Sequence, residues 1–406
     1  MAVSRREFLG TLSAATALAG ASGGVSNVLA AMNDDPLGVR KDFPVALDGV
    51  YLNSPYITPS PLQVIETTKV FLERKARSPI NLGDMLREAG ATRSKFARLV
   101  GAAETEIALL SSTSEGENII MNSLDLKSGD NIVTDDLHYT SSYVLYSHLA
   151  ETRGVDIRVV ASRNGAATPD QFEKLVDAGT RLISVAWVSH QNGYHHDLTA
   201  LANLAHAHNA YLYADAIQGV GMLTLDTKQV PVDFFTTGTY KWLLSGYGVA
   251  PFFVRESLVD RIRPDRSGWR QVEKTISETE HVLHQGIRKF EYATPAFIEI
   301  YQLGAALDYL QAVGVDRIEQ HTVALAHRIH GGLTDRGFKV WTPVNNRSAT
   351  VAFEHGVAYE KVQKALDAAR IQVSFREENK QIRVGTALFN TTGDVDRFLD
   401  VMGSVK

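Results

Sequence analysis

The chain has 406 residues, 44% hydrophobic and 21% charged, enough apolar content for a large core and enough length for one large domain and one small one. A formal net charge of -5 with no basic stripe or Lys/Arg run excludes a nonspecific grip on nucleic acid or anionic lipid. There is no cysteine, so the chain offers no disulfide, no thiolate metal site and no sulfur nucleophile, which also suits an oxidising compartment.

At the N-terminus, "SRREFLG" (4–10) precedes a weakly apolar, Ala- and Gly-rich stretch to about Ala31 and then polar "MNDDP". Paired Arg5 and Arg6 followed by Phe8 and Leu9 have the form of a twin-arginine export signal, with Gly10 where lysine is common. Residues 1–30 are read as that signal. Cleavage after Ala30, with Val28 at the -3 position, would suit a signal peptidase, and the expected location is periplasmic. Gly20, Gly23 and Gly24 with Ser13, Ser22 and Ser26 make a poor bilayer span. Residues 31–65, including "YLNSPYITPSP", are expected to form an arm packed against one of the domains.

From about Glu104, short β-branched runs alternate with amphipathic segments. "NIVTDD" (131–136), "DIRVVA" (156–161), "RLISVAWV" (181–188), "AYLYADA" (210–216), "DFFTTG" (233–238) and "GVAPFFVR" (248–255) read as buried strands. "YVLYSHLAETRG", "PDQFEKLVDAG" and "LTALANLAHAHN" between them read as helices. The pattern predicts a mostly parallel α/β sheet with helices on both faces, in a large domain over 66–295. After Gly286 two long helices, "PAFIEIYQLGAALDYLQAVG" and "DRIEQHTVALAHRIHGGLTDRG", lead into short strands "FKVWTP", "ATVAFE", "QVSFRE" and "QIRVGTA", with helices over 358–370 and 393–403. That predicts a smaller C-terminal α+β domain over 296–406.

Ligands of such sheets bind beyond the carboxyl ends of the strands, so five polar clusters are expected on one rim: 111–118, 135–139, 189–192, 215–218 and 236–241. In the last, "TTGTYKWLLSGYGVA" holds one lysine, Lys241, flanked by Tyr240 and Trp242 and followed by Leu243 and Leu244. Removing an ammonium from water is costly, so a lysine kept here loses its charge readily, and a neutral amine attacks carbonyls to form imines. Asp215 ends an otherwise apolar strand. It either pairs with a buried cation or caps the next helix. "STSEGE" opens a helix whose free amides make a phosphate seat, or is an ordinary capping sequence. His190, His195 and His196 lack the carboxylate or cysteine company of a metal site; none is expected, and one of the three is left as a proton carrier.

"YADAIQGVG" followed by "TTGTYKWLLSGYGVAPFFVR" resembles the core of the class V aminotransferase family of pyridoxal-phosphate (PLP) enzymes. "SSTSEGENII", "DDLHY", "VSHQNG", "FEYATPA" and "IRVGTALFNT" follow in that family's order, so the resemblance covers about 51–401. The isopenicillin N epimerase-like branch is the nearest match, and its exported members, which include a periplasmic siderophore-maturation enzyme, are similar in carrying a twin-arginine signal. The resemblance implies the type I PLP-transferase fold with its seven-stranded sheet, and a homodimer. It implies that Lys241 bonds the cofactor aldehyde and later shuttles the substrate's α-proton, and that Asp215 pairs with the pyridine nitrogen. Gln218 and Asn192 would donate to the phenolic oxygen, or be ordinary loop amides. Ser114, with the backbone of Glu115, would hold the phosphate. Tyr240 stands where the family often has histidine, its hydroxyl within reach of the phosphate. Thr294 matches a threonine that reaches the phosphate across a dimer interface. His138 would lie over the cofactor ring, with Tyr139 the candidate if the register slips by one. Arg383 would grip the substrate carboxylate, or else pair with Glu377 or Glu378.

The resulting expectation is an exported enzyme acting at the α-carbon or amino group of an amino acid or amino-acid-bearing peptide. Transamination comes first, epimerisation or elimination next. Cysteine desulfuration through an enzyme persulfide is excluded because this chain has no thiol. A noncatalytic periplasmic binding protein is the rival from another class, separated by whether the purified protein carries a visible absorption band.

Overall fold

The computed structural model describes residues 35–406; the export signal read in residues 1–30 lies outside them. The chain enters through β1 (Val50–Tyr51) and two helices, α1 (Leu62–Arg77) and α2 (Leu82–Leu99). A large sheet follows, built from β2 (Ile107–Leu110), β3 (Asn131–Asp135), β4 (Asp156–Val160), β5 (Thr180–Ala186), β6 (Tyr211–Asp215), β7 (Phe234–Thr236) and β8 (Ala250–Val254). Its seven strands lie in the order β2-β8-β7-β6-β5-β3-β4. Only β8 runs against its neighbours, while β4, β3, β5, β6 and β7 pair in parallel.

Successive residues of a strand point to opposite faces, and here both faces are buried. Val133, Ile183, Leu212, Phe235 and Phe253 enter one core, and Ile132, Leu182, Tyr213, Phe234 and Phe252 enter the other. Strands covered on both sides read as unbroken apolar runs. One face is closed by α3 (Thr113–Ser123) and α4 (Thr140–Arg153) through Ile119, Ile120, Tyr146 and Leu149. The other is closed by α2, α5 (Leu198–Ala207) and α6 (Phe297–Val313) through Phe96, Leu201, Ala205, Leu303 and Leu307.

A hairpin of β9 (Val272–Thr275) and β10 (His281–Leu283), paired antiparallel, follows β8. The chain crosses to the small domain along α7 (Val315–Asp335), whose Ile318 packs in the large core and whose Leu325 and Ile329 pack in the small one. There β11 (Lys339–Val340), β12 (Thr350–Glu354), β14 (Ser374–Arg376) and β15 (Gln381–Gly385) form an antiparallel sheet in the order β11-β12-β15-β14. It packs on α8 (Tyr359–Ala368) and α9 (Thr392–Val405), while β13 (Ile371–Gln372) pairs in parallel with β1.

Several expectations change. The edge strand β2 and the helices α1 and α2 were not anticipated. Both domain divisions fall elsewhere: residue 66 lies inside α1, whose Val64 already belongs to the large core, and α6, past residue 296, packs on α1 and α2 in that same core. The helix expected over 169–179 stops after Pro169–Glu173, because Asp177 accepts from the Gly179 amide and its own amide donates to Thr180, turning the chain into β5. The arm touches both domains rather than one. Asn53 bridges to Gly385, the Pro55 carbonyl accepts from the Gln218 side chain at 2.8 Å, and the Thr58 amide donates to the Tyr240 carbonyl at 3.4 Å.

Candidate active site

Lys241 lies in the loop joining β7 to β8. Because those strands are antiparallel neighbours, the chain must reverse between them, and stacked Phe235 and Phe253, with centroids 4.9 Å apart, add about 0.5–1.5 kcal/mol beyond burial to hold the two ends together. Inside the loop, Thr239 Oγ1 is 2.6 Å from the Gly246 carbonyl and 3.0 Å from that of Val249, and the Ser245 amide donates to the Thr239 carbonyl at 3.0 Å. Gly221, at φ 95°, runs so close to the loop that a Cβ there would stand 2.4 Å from the Trp242 carbonyl oxygen. The backbone around the lysine is thereby held from within and from below.

Each of the five polar clusters sends at least one side chain into a single cavity at the carboxyl edge of the sheet. Thr113 comes from the first, Tyr139 from the second, His190 from the third, Asp215 and Gln218 from the fourth, and Tyr240 and Lys241 from the fifth. The Lys241 amine makes no hydrogen bond or ion pair with any described residue; its nearest ring is that of Tyr240, 5.8 Å from Nζ to the centroid. Burial pulls its pKa from 10.5 down to about 8, opposed by the Asp215 charge and aided by the charges of Arg383 and Arg376. Asp215 is 7% exposed and accepts from the Ile217 amide at 3.0 Å; burial raises its pKa, against that hydrogen bond and the Lys241 charge. A cation held beside this carboxylate would favour its ionised form.

Gln218 donates to the Pro55 carbonyl and accepts from the Trp242 indole at 2.9 Å, which fixes its plane and leaves one amide hydrogen free. Tyr240 stacks on Tyr247 with centroids 4.4 Å apart. Arg383 is 3% exposed; its guanidinium donates to the His190 carbonyl and, at 3.4 Å, to Ser374, and it pairs with neither Glu377 nor Glu378. Burial lowers its pKa to about 9, with the Arg376 charge adding.

Five expected residues are placed otherwise. His138 is fully buried behind the cavity, its Nδ1 accepting from the Tyr139 amide at 2.7 Å and its Nε2 3.3 Å from the Ser184 hydroxyl. Burial holds it neutral, with a pKa of about 4. The cavity ring is Tyr139, one residue on, packed edge-on against His190 at 4.9 Å. Asn192 points away, donating to the Gly165 carbonyl at 2.7 Å and accepting from the Tyr194 amide at 3.0 Å; His190 takes its place. Ser114 is exposed on the first turn of α3, and Thr113 is the cavity residue. The Glu115 amide is taken by the Ser112 hydroxyl at 3.2 Å, and its carboxylate turns back to the Ser111 amide at 2.8 Å, so Glu115 serves the helix cap. Thr294 is exposed and accepts from the Trp269 indole at 3.2 Å, away from this cavity. Of the other histidines, His195 accepts from the Trp187 indole at 3.1 Å, and His196 lies 2.9 Å from Asp135 in the protein interior.

These residues fit PLP. Nδ1 of His190 and Nε of Arg383 are buried polar atoms with no hydrogen-bond partner among the described residues, as at a site that a ligand completes. The Thr113 hydroxyl and the first amides of α3 suit the phosphate. Asp215 suits the pyridine nitrogen and the free Gln218 hydrogen the phenolic oxygen. An amine of lowered pKa and a buried carboxylate sharing one cavity at this sheet edge suit a PLP enzyme of the type I fold.

The family model "Aminotransferase class-V" matches residues 50–398, and the chain belongs to that family. It is 30% identical over 298 residues to a probable cysteine desulfurase of Methanothermobacter thermautotrophicus, covering 72% of this chain and 74% of that one. It is 26% identical over 325 residues to an uncharacterized aminotransferase, YcbU, of Bacillus subtilis, covering 79% and 84%. Among solved structures, the apo cysteine desulfurase of Thermococcus onnurineus superposes with a TM-score of 0.83 at 25% identity, over 91% of this chain and 97% of that one.

Proposed function

We propose that this chain is an exported, homodimeric PLP enzyme that transaminates an α-amino acid or the terminal amino acid of a peptide, as in siderophore maturation. The observation that carries the reading is the Lys241 amine, unpaired and held toward neutrality beside Asp215. Bound PLP supplies an electrophilic carbon for the substrate amino group and an electron sink for the pair left when Cα–H breaks. Lys241 is the base that takes the α-proton and the acid that returns it. Arg383 holds the carboxylate through its planar fork and so sets which Cα bond stands perpendicular to the ring. Tyr139 would stack on a bound cofactor ring, and exposed Thr294, which accepts from Trp269 and lies off its own cavity, keeps its hydroxyl proton for a group of a second copy.

A second reading, elimination of a β-substituent, is favoured by the desulfurase names of the relatives; the sulfur would then leave without passing through a thiol of this chain. Incubation with amino acids followed by mass analysis separates the two. Transamination yields more than one equivalent of 2-oxo acid per enzyme only when an acceptor 2-oxo acid is present, and elimination yields ammonia and a 2-oxo acid continuously without one. No turnover of Cα–H in any substrate, read by exchange with deuterated solvent, would sink both.

Export rests on the Arg5–Arg6 pair. Since the twin-arginine route carries folded proteins, the chain would load its cofactor before crossing. Changing both arginines to lysine is expected to leave a cofactor-loaded enzyme in the cytoplasm, measured by fractionation and absorbance. Undiminished export of the double variant would contradict it.

A further inference from the structure

The small-domain sheet carries a second guanidinium beside Arg383. In the β14–β15 pair, Ser374 stands opposite Arg383 and Arg376 opposite Gln381, so alternation puts Ser374, Arg376 and Arg383 on one face. That face looks into the boundary between arm and domains: the Ser374 hydroxyl is bonded to Asn53 of the arm, and Arg383 to the His190 carbonyl. Arg376 is half-buried there and makes no hydrogen bond or ion pair with any described residue. Its charge is felt at Arg383, His190 and Lys241.

Nothing acidic nearby balances it. Glu377 and Glu378 are exposed, Glu378 pairing with Lys380 at 2.9 Å, and Asp215 is the one carboxylate on the cavity wall. The turn after Arg376 is strained: Glu377, Glu378 and Asn379 take φ of 50°, 55° and 65° in succession. Backbone held in that region by non-glycine residues persists where the surroundings over-determine it, which is common beside ligand sites. It reverses the chain directly after Arg376, on the strand beside Arg383.

Two arginines side by side without a carboxylate repel, and a ligand with one carboxylate occupies one fork. We propose that Arg376 binds a second anionic group, so that the substrate is an α-amino acid whose side chain ends in a carboxylate or the corresponding sulfinate. This rests on the PLP reading above and adds the substrate class to it.

The test titrates the visible band of the purified holoenzyme with L-aspartate, L-glutamate and cysteine sulfinate, and with L-asparagine, L-glutamine and L-norvaline. A charge-assisted hydrogen bond predicts half-saturation by one of the acidic amino acids at a concentration about 10- to 100-fold below that of its neutral counterpart. Arg376→Met is expected to erase that preference while leaving half-saturation by the neutral amino acids within about twofold, and Arg376→Lys to retain part of it. Unchanged response to the neutral amino acids also shows that the variant is folded. Equal weakening for acidic and neutral amino acids in both variants, or no acidic preference in the wild type, would overturn the proposal. A wild type without a visible band would instead overturn the cofactor assignment, so the two failures are distinct.

Discussion

Replacing Lys241 with alanine is expected to lower kcat by about a thousandfold or more, in line with the loss of a positioned acid–base group, while the protein keeps its fold. The side chain makes no hydrogen bond or ion pair within the described chain, so its removal breaks nothing but the cofactor bond. Single-turnover kinetics and a thermal scan of the apoprotein check both halves, and borohydride should no longer fix the label at position 241. Turnover within about tenfold of wild type would sink the assignment. The same amine sets a pH dependence. Only its neutral form attacks an aldehyde, and its pKa is about 8 rather than 10.5, so PLP uptake by the apoprotein should speed up as pH rises through about 8 and level off above. The Asp215 charge opposes the lowering, so Asp215→Asn should move the midpoint further down. A midpoint near that of a solvated lysine would show that the site is wetter than its burial implies.

Replacing Asp215 with asparagine is expected to cost about 100- to 1000-fold in kcat, as loss of one preorganised electrostatic partner does elsewhere, with a smaller effect on KM. Burial raises the pKa of this carboxyl, and its amide partner from Ile217 and the Lys241 charge oppose that only in part. Held beside the pyridine nitrogen of a bound cofactor, this carboxylate would favour the nitrogen's protonated form, and a neutral amide of the same shape would not. A shift of the visible band in the variant would accompany the loss of rate. An unchanged band and an unchanged kcat would mean that Asp215 is only a cap for the turn it begins.

The strands β3 and β5 to β8 were legible because burial on both faces writes each as an apolar, β-branched or aromatic run between turn residues, and the edge strand β4, with only Val160 buried, was legible from its β-branched residues. β2 was not: "IALL" has a single β-branched residue, and its extended form follows from pairing with β8. α1 buries only Val64 and Phe71 of its length, a face too narrow to stand out among its charges. Lys241 and Asp215 were readable since a charged group in apolar company is rare without a purpose. The slips were of one or two positions: Ser114 for Thr113, His138 for Tyr139, Asn192 for His190. In each, the turn beyond the strand decides which residue faces inward, and that turn is set by hydrogen bonds to distant residues, as Asn192 is by Gly165. Arg376, in a polar stretch, had no signal at all. Its lack of a partner becomes visible only when β14 is laid beside β15.

Amino-acid content alone settles that no thiol of this chain can carry a persulfide, and local patterning alone singles out Lys241 and Asp215 as a charged pair in apolar company, for this depends on residue type and immediate neighbours. Which side chains line the cavity, and that Arg376 and Arg383 share one face of the small-domain sheet, were decided by tertiary contacts. Strand register and loop closure join residues hundreds of positions apart, such as His190 and Arg383, and no local preference encodes a meeting at that range.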